Sequence, residues 1–88
     1  MVFSACGASV EDIPRLKKEL SSPDASQRNK AALALAGLGE KAQPAEDALI
    51  RLLSDKNSGV KSSAAYALRA IDTPKARAAL DKATKNSD

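Results

Sequence analysis

The sequence predicts an all-α chain: a short α-solenoid of antiparallel helix pairs, about two and a half repeats built from five helices. Three observations carry this. First, 43% of the 88 residues are apolar but only 2% are aromatic, one Phe and one Tyr. A sheet would lack the rings and β-branched residues that fill pleated surfaces. Second, eighteen residues are alanine, and with leucine, lysine and arginine they form a pool of strong helix formers. Third, the chain matches itself when shifted by 33 residues. Leu16 falls on Leu49, Leu20 on Leu53, Ala31 and Ala32 on Ala64 and Ala65, Ala34 on Ala67, Leu35 on Leu68 and Leu38 on Ile71. A repeat of this period made of helix pairs marks an α-solenoid. The length allows one domain.

Residues 1–9 are short and aperiodic and read as an arm, with Val2 and Phe3 available to tuck onto the first helix. The helical period begins with Val10, Ile13, Leu16 and Leu20. Ser9 and Asp12 resemble a capping box, and Pro14 costs little if the helix starts near Asp12. Ser22 can cap a second helix over about 24–37, with Pro23 at its first position. That helix carries Ala31, Ala34, Leu35 and Leu38 and ends at Gly37-Leu38-Gly39, where glycine takes the left-handed conformation cheaply. Pro44 opens a third helix with Ala45, Ala48, Leu49, Leu52 and Leu53 on one stripe. After the turn Asp55–Gly59, a fourth helix places Val60, Ala64, Ala67, Leu68 and Ile71 together. Thr73-Pro74 caps and opens a fifth, with Ala76, Ala79, Leu80 and Ala83. The domain thus spans 10–84, with repeats at about 10–42 and 43–72, a half repeat at 73–84 and a polar tail at 85–88.

Small residues let helices approach closely, so Ala31, Ala32, Ala64 and Ala65 read as spacers between adjacent second helices. The larger residues at 16, 20, 35, 38, 49, 52, 53, 68, 71 and 80 fill the layer between first and second helices. The half repeat leaves Ala76, Ala79, Leu80 and Ala83 open unless the fifth helix folds back, so a fold-back or a dimer pairing the C-terminal ends is expected; otherwise the chain is a monomer.

The run Leu52-Leu53-Ser54-Asp55 through Val60-Lys61, Ala64-Ala65 and Ala67-Leu68 resembles the HEAT-repeat family in its short form related to bilin-lyase repeats. The first repeat keeps Arg28, Ala31-Ala32, Ala34-Leu35 and Gly39, and departs at Ser22 and Gln27. Pro14 looks like the proline of the family's first helix. The resemblance covers roughly residues 10–84 and implies a right-handed stack whose second helices line the concave face. It also implies that Arg28 and Lys61, near Asp24 and Asp55, bridge neighbouring repeats.

On a helical wheel of the fourth helix, the side opposite the buried stripe carries Ser62, Tyr66 and Arg69. The matching positions one repeat earlier are Asn29, Leu33 and Ala36, flanked by Lys30 and Ser63. The expected partner-binding residues are therefore Asn29, Lys30, Leu33, Ser62, Tyr66 and Arg69. Tyrosine and arginine are enriched among residues that dominate interface energetics.

Composition excludes several function classes. There is no His and one Cys, too few ligands for a structural zinc site and no base for a Ser–His–Asp or Cys–His group. Gly-rich phosphate loops are absent, and no apolar run approaches a membrane span. A net charge of +3 is mild for a nucleic-acid module, and no aromatic platform accompanies the basic stripe Lys75, Arg77, Lys82 and Lys85. The expectation is a non-enzymatic module that binds a protein segment, without a cofactor. An accessory protein or enzyme related to the bilin-lyase group, or a weak nucleic-acid binder, are the alternatives. A single thiol suits a reducing, cytoplasmic setting. The alternative is a lipidated periplasmic protein, if Val2–Cys6 is the remnant of a bacterial lipoprotein signal.

Overall fold

The computed structural model describes residues 9–85. The expected arm with Val2, Phe3 and Cys6, and the tail beyond Lys85, lie outside the described residues. A 3-10 turn, Val10–Asp12, leads into α1 (Ile13–Glu19), followed by α2 (Ala25–Leu38). A 3-10 stretch, Gly39–Ala45, precedes α3 (Glu46–Leu52), then α4 (Ser58–Ile71) and α5 (Pro74–Lys85). No strand occurs among the described residues.

The sequence period is reproduced residue by residue in the backbone. Shifting α1 by 33 residues gives the bounds of α3, and shifting α2 gives those of α4. The caps coincide as well. Asp24 accepts from the Ser26 amide (3.1 Å), and its equivalent Asn57 accepts from the Val60 amide (3.1 Å). Gly39 ends α2 at φ +59°, and its equivalent Asp72 ends α4 at φ +55°. Both have positive φ, but Asp72 lies in the left-handed helical region, which aspartate tolerates better than most side chains, whereas Gly39 at ψ −133° lies where glycine alone goes readily.

Two local expectations change. The cap of α2 is Asp24 rather than Ser22. Asp24 has the extended backbone of a capping residue, while the Ser22 hydroxyl accepts from the Asp24 amide and donates to Gln27 Oε1. Pro44 does not open a helix. It sits inside the 3-10 stretch and α3 begins at Glu46, so proline's missing amide falls before the α-helical ladder starts. Pro14 lies in the first turn of α1, where no backbone bond is lost. The Ser9–Asp12 box is present, with the Asp12 carboxylate accepting from the Ser9 amide at 2.9 Å.

The molecule measures 46 × 28 × 17 Å. The most extensive packing is α2 beside α4, with α1 on α2, α3 on α4, and α5 on α4 and α3. Leu16, Leu20, Leu35, Leu49, Leu52, Val60, Leu68 and Ile71 are buried between the layers, with Leu38, Leu53 and Leu80 partly buried against them. Each such aliphatic residue contributes about 1.5–3 kcal/mol when fully buried. Ala31, Ala32 and Ala64 are buried, as spacers should be, but Ala65 is only half-buried and lies on the other side of α4. The fifth helix packs onto the preceding pair. Ala76 is buried, while Ala79, Leu80 and Ala83 remain half-covered.

Candidate partner-binding surface

The two repeats are clamped by a salt bridge at their junction. Arg28 Nε donates to Asp55 Oδ2 at 2.8 Å and Arg28 Nη2 to Asp55 Oδ1 at 3.0 Å, while Nη1 donates to the Ser22 carbonyl at 2.8 Å. The side chains are only 17% and 8% exposed. One guanidinium thus holds the turn of its own repeat and that of the next, in the planar fork that suits carboxylate. The guanidinium's hydrogen bonding, then the Asn57 amide, holds the Asp55 carboxyl below its ordinary value. Of the expected bridging set, Arg28 and Asp55 meet each other. Asp24 caps its own helix instead. Lys61 has no ion-pair partner among the described residues.

The six expected binding residues have different surroundings. Leu33 and Tyr66 occupy equivalent positions on the neighbouring helices α2 and α4 and are 45% and 59% exposed. Asn29 is half-buried and its side-chain oxygen accepts from the hydroxyl of buried Ser63, so it ties α2 to α4. Lys30 lies near the N-terminal end of the stack, over an open depression with Glu19, Asp24, Ser26 and Gln27. Ser62 and Arg69 line a groove between α4 and α5. What remains as an outward apolar pair is Leu33 with Tyr66.

Two features were not anticipated. Glu46 is buried at a position equivalent to apolar Ile13. Its carboxylate accepts from the Thr73 hydroxyl, which in turn accepts from the Ala76 amide at 2.9 Å and caps α5. The charge stands on a stripe that sequence periodicity assigns to leucine-like residues, and only the Thr73-Pro74 start of α5 hints at a donor. Nearby, Lys75 pairs with exposed Asp47 at 2.6 Å, which lowers the Asp47 carboxyl and raises the Lys75 amine. The second feature is the α4–α5 groove, whose apolar members are Leu53, Ala65, Leu80 and Ala83. Shifting Ala32 and Arg28 by one repeat would have located it.

Among the described residues there is no cluster of acidic, Cys or His side chains that could hold a metal ion, and no helix long and apolar enough to cross a membrane.

Paired helices repeating at fixed period, with equivalent caps and an inter-repeat clamp, define a helical-repeat protein. The family description for HEAT repeats matches residues 13–88, most of the chain. The chain belongs to the HEAT-repeat family. No curated protein and no solved structure matched it.

Proposed function

We propose that the chain is a non-enzymatic protein-interaction module. In this reading its helices form a short right-handed solenoid of about two and a half repeats, and a partner segment lies across the concave side of α2 and α4. The supporting observation is the exposed pair Leu33 and Tyr66. They stand at equivalent positions on helices packed side by side, whose axes in such packing lie about 8–10 Å apart. Two sizeable apolar side chains held on adjacent helices give a partner two anchors without the cost of ordering a loop.

The test is capture of binding proteins from the source cell by the immobilised chain, compared with a Leu33→Ser, Tyr66→Ala double variant and read by mass spectrometry. The expected result is a protein retained by the wild type and lost with the double variant, at unchanged melting temperature. Equal retention by both would overturn the proposal.

A further inference from the structure

The groove between α4 and α5 differs from an ordinary surface depression because the molecule contains a filled version of it. In the first repeat, Arg28, Asn29, Ala32 and Ala36 form the side of α2 that receives the second repeat. Arg28 and Asn29 are half-buried, and Ala32 and Ala36 are buried. Arg28 takes Asp55 from the incoming turn, and Asn29 takes Ser63 from α4. One repeat on, the equivalent residues are Lys61, Ser62, Ala65 and Arg69. All four are more exposed than their counterparts, and all four line the groove. The same holds for Leu20, which is 2% exposed, against Leu53, which is half-buried. The helix α5 supplies the floor through Leu80 and Ala83, leaving a space of about 240 Å³.

We propose that this groove is a docking site for one amphipathic helix of a partner protein. The occupant presents alanine or serine on its contact face and carries an acidic residue in the turn before its N-terminus. The internal junction dictates that chemistry. Small residues sit where Ala64 and Ser63 sit against α2, and a carboxylate meets Lys61 as Asp55 meets Arg28. Charge disfavours a second copy of this chain docked groove to groove. A two-fold contact sets each residue patch against its own image, which here opposes Lys61 and Arg69 to the same cations. Neither has an ion-pair partner among the described residues. This site is separate from the Leu33–Tyr66 surface, and the two stand or fall independently.

A synthetic peptide with this chain's own sequence over residues 55–72 supplies the required helix and acidic turn. Added to the isotopically labelled full chain, it shifts the amide signals of Leu53, Lys61, Ala65, Arg69, Leu80 and Ala83. Lys61→Glu weakens binding about tenfold, as expected for a close charge pair across an interface. A peptide carrying lysine in place of its own Asp55 recovers the affinity on the Lys61→Glu chain. Peptide-induced shifts centred on Leu33 and Tyr66, no shifts at all, or affinity indifferent to both charge changes would overturn the proposal. So would sedimentation showing a dimer whose formation abolishes peptide binding, which would assign the groove to a second copy.

Discussion

Replacing Arg28 with methionine keeps most of the aliphatic stem and removes the guanidinium that joins the two repeats. Three hydrogen bonds vanish: two to Asp55, at 2.8 and 3.0 Å, and one to the Ser22 carbonyl at 2.8 Å. Bonds to charged groups contribute about 1.5–3 kcal/mol net, and breaking a fully buried ion pair costs about 3–5 kcal/mol. This pair is mostly but not fully buried, the Asp55 carboxylate keeps its bond from the Asn57 amide, and methionine recovers some apolar contact. The expected loss is about 2–3 kcal/mol. For a chain of this size each kcal/mol moves the melting temperature by about 4–8 °C, giving a fall of roughly 10–20 °C. The assay is urea and thermal unfolding of wild type, Arg28→Met, Asp55→Asn and the double variant. The double variant should lose less than the sum of the two by about 1–2 kcal/mol. Acid supplies a second handle. Arg28 depresses the Asp55 carboxyl below its ordinary 3.8. Stability from a depressed carboxylate is complete above the unfolded value and drains away as pH falls through the lower folded one. The gap between wild type and Arg28→Met is therefore full at neutral pH and closes below about pH 4. The reasoning is refuted if Arg28→Met melts like Arg15→Met, whose guanidinium sits in exposed pairs with Asp12 and Glu19, or if the gap is unchanged in acid.

Two glycines should respond with opposite sign. Gly37 lies inside α2 with nothing near an added Cβ, so Gly37→Ala should raise the urea midpoint by the equivalent of about 0.5–1 kcal/mol. Gly39 has φ +59° and ψ −133°, so Gly39→Ala should lose about 1–3 kcal/mol through backbone strain. Thr73→Val removes the cap of α5 and the donor to buried Glu46 together, a cost of about 2–3 kcal/mol. Hydrogen exchange should show protection lost first in α5, while Thr73→Ser should behave like the wild type.

Repetition explains how much of this fold was legible. Leu16, Leu35, Leu49 and Leu68 are buried because their spacing keeps one helix face inward, and a 33-residue shift carries the pattern from one repeat to the next. The cap at Asp24 was less legible. Ser22, Pro23 and Asp24 all have helix-start chemistry, and choosing among them depends on where the preceding turn closes. The candidate surface was legible at Leu33 and Tyr66, whose exposure follows from one wheel position. What Asn29, Ser62 and Arg69 lie against was not legible. A helical wheel gives an angle around one helix but does not say which side the neighbouring helix occupies. Asn29 points at a helix that is present, and its equivalent Ser62 faces the groove where no further helix is described.

The abundance of alanine gives the polar ties their importance. Alanine faces allow α2 and α4 to approach closely, but they are nearly flat, and neighbouring turns of such a helix look alike to the partner. Ala31, Ala32 and Ala64 therefore supply contact with little to oppose sliding, whereas interdigitating large side chains would lock register by shape. Register falls instead to directional groups. Arg28–Asp55, Asn29–Ser63 and Glu46–Thr73 each join elements that are 27–34 residues apart in the chain. Each would be left unpaired by a one-turn slip, and an unpaired buried polar group costs about 1–3 kcal/mol. A slip of α2 past α4 that alanine packing alone would tolerate is thereby penalised at Arg28–Asp55 and Asn29–Ser63, while Glu46–Thr73 fixes α3 against the start of α5. Those ties hold Leu33 and Tyr66 in step on neighbouring helices.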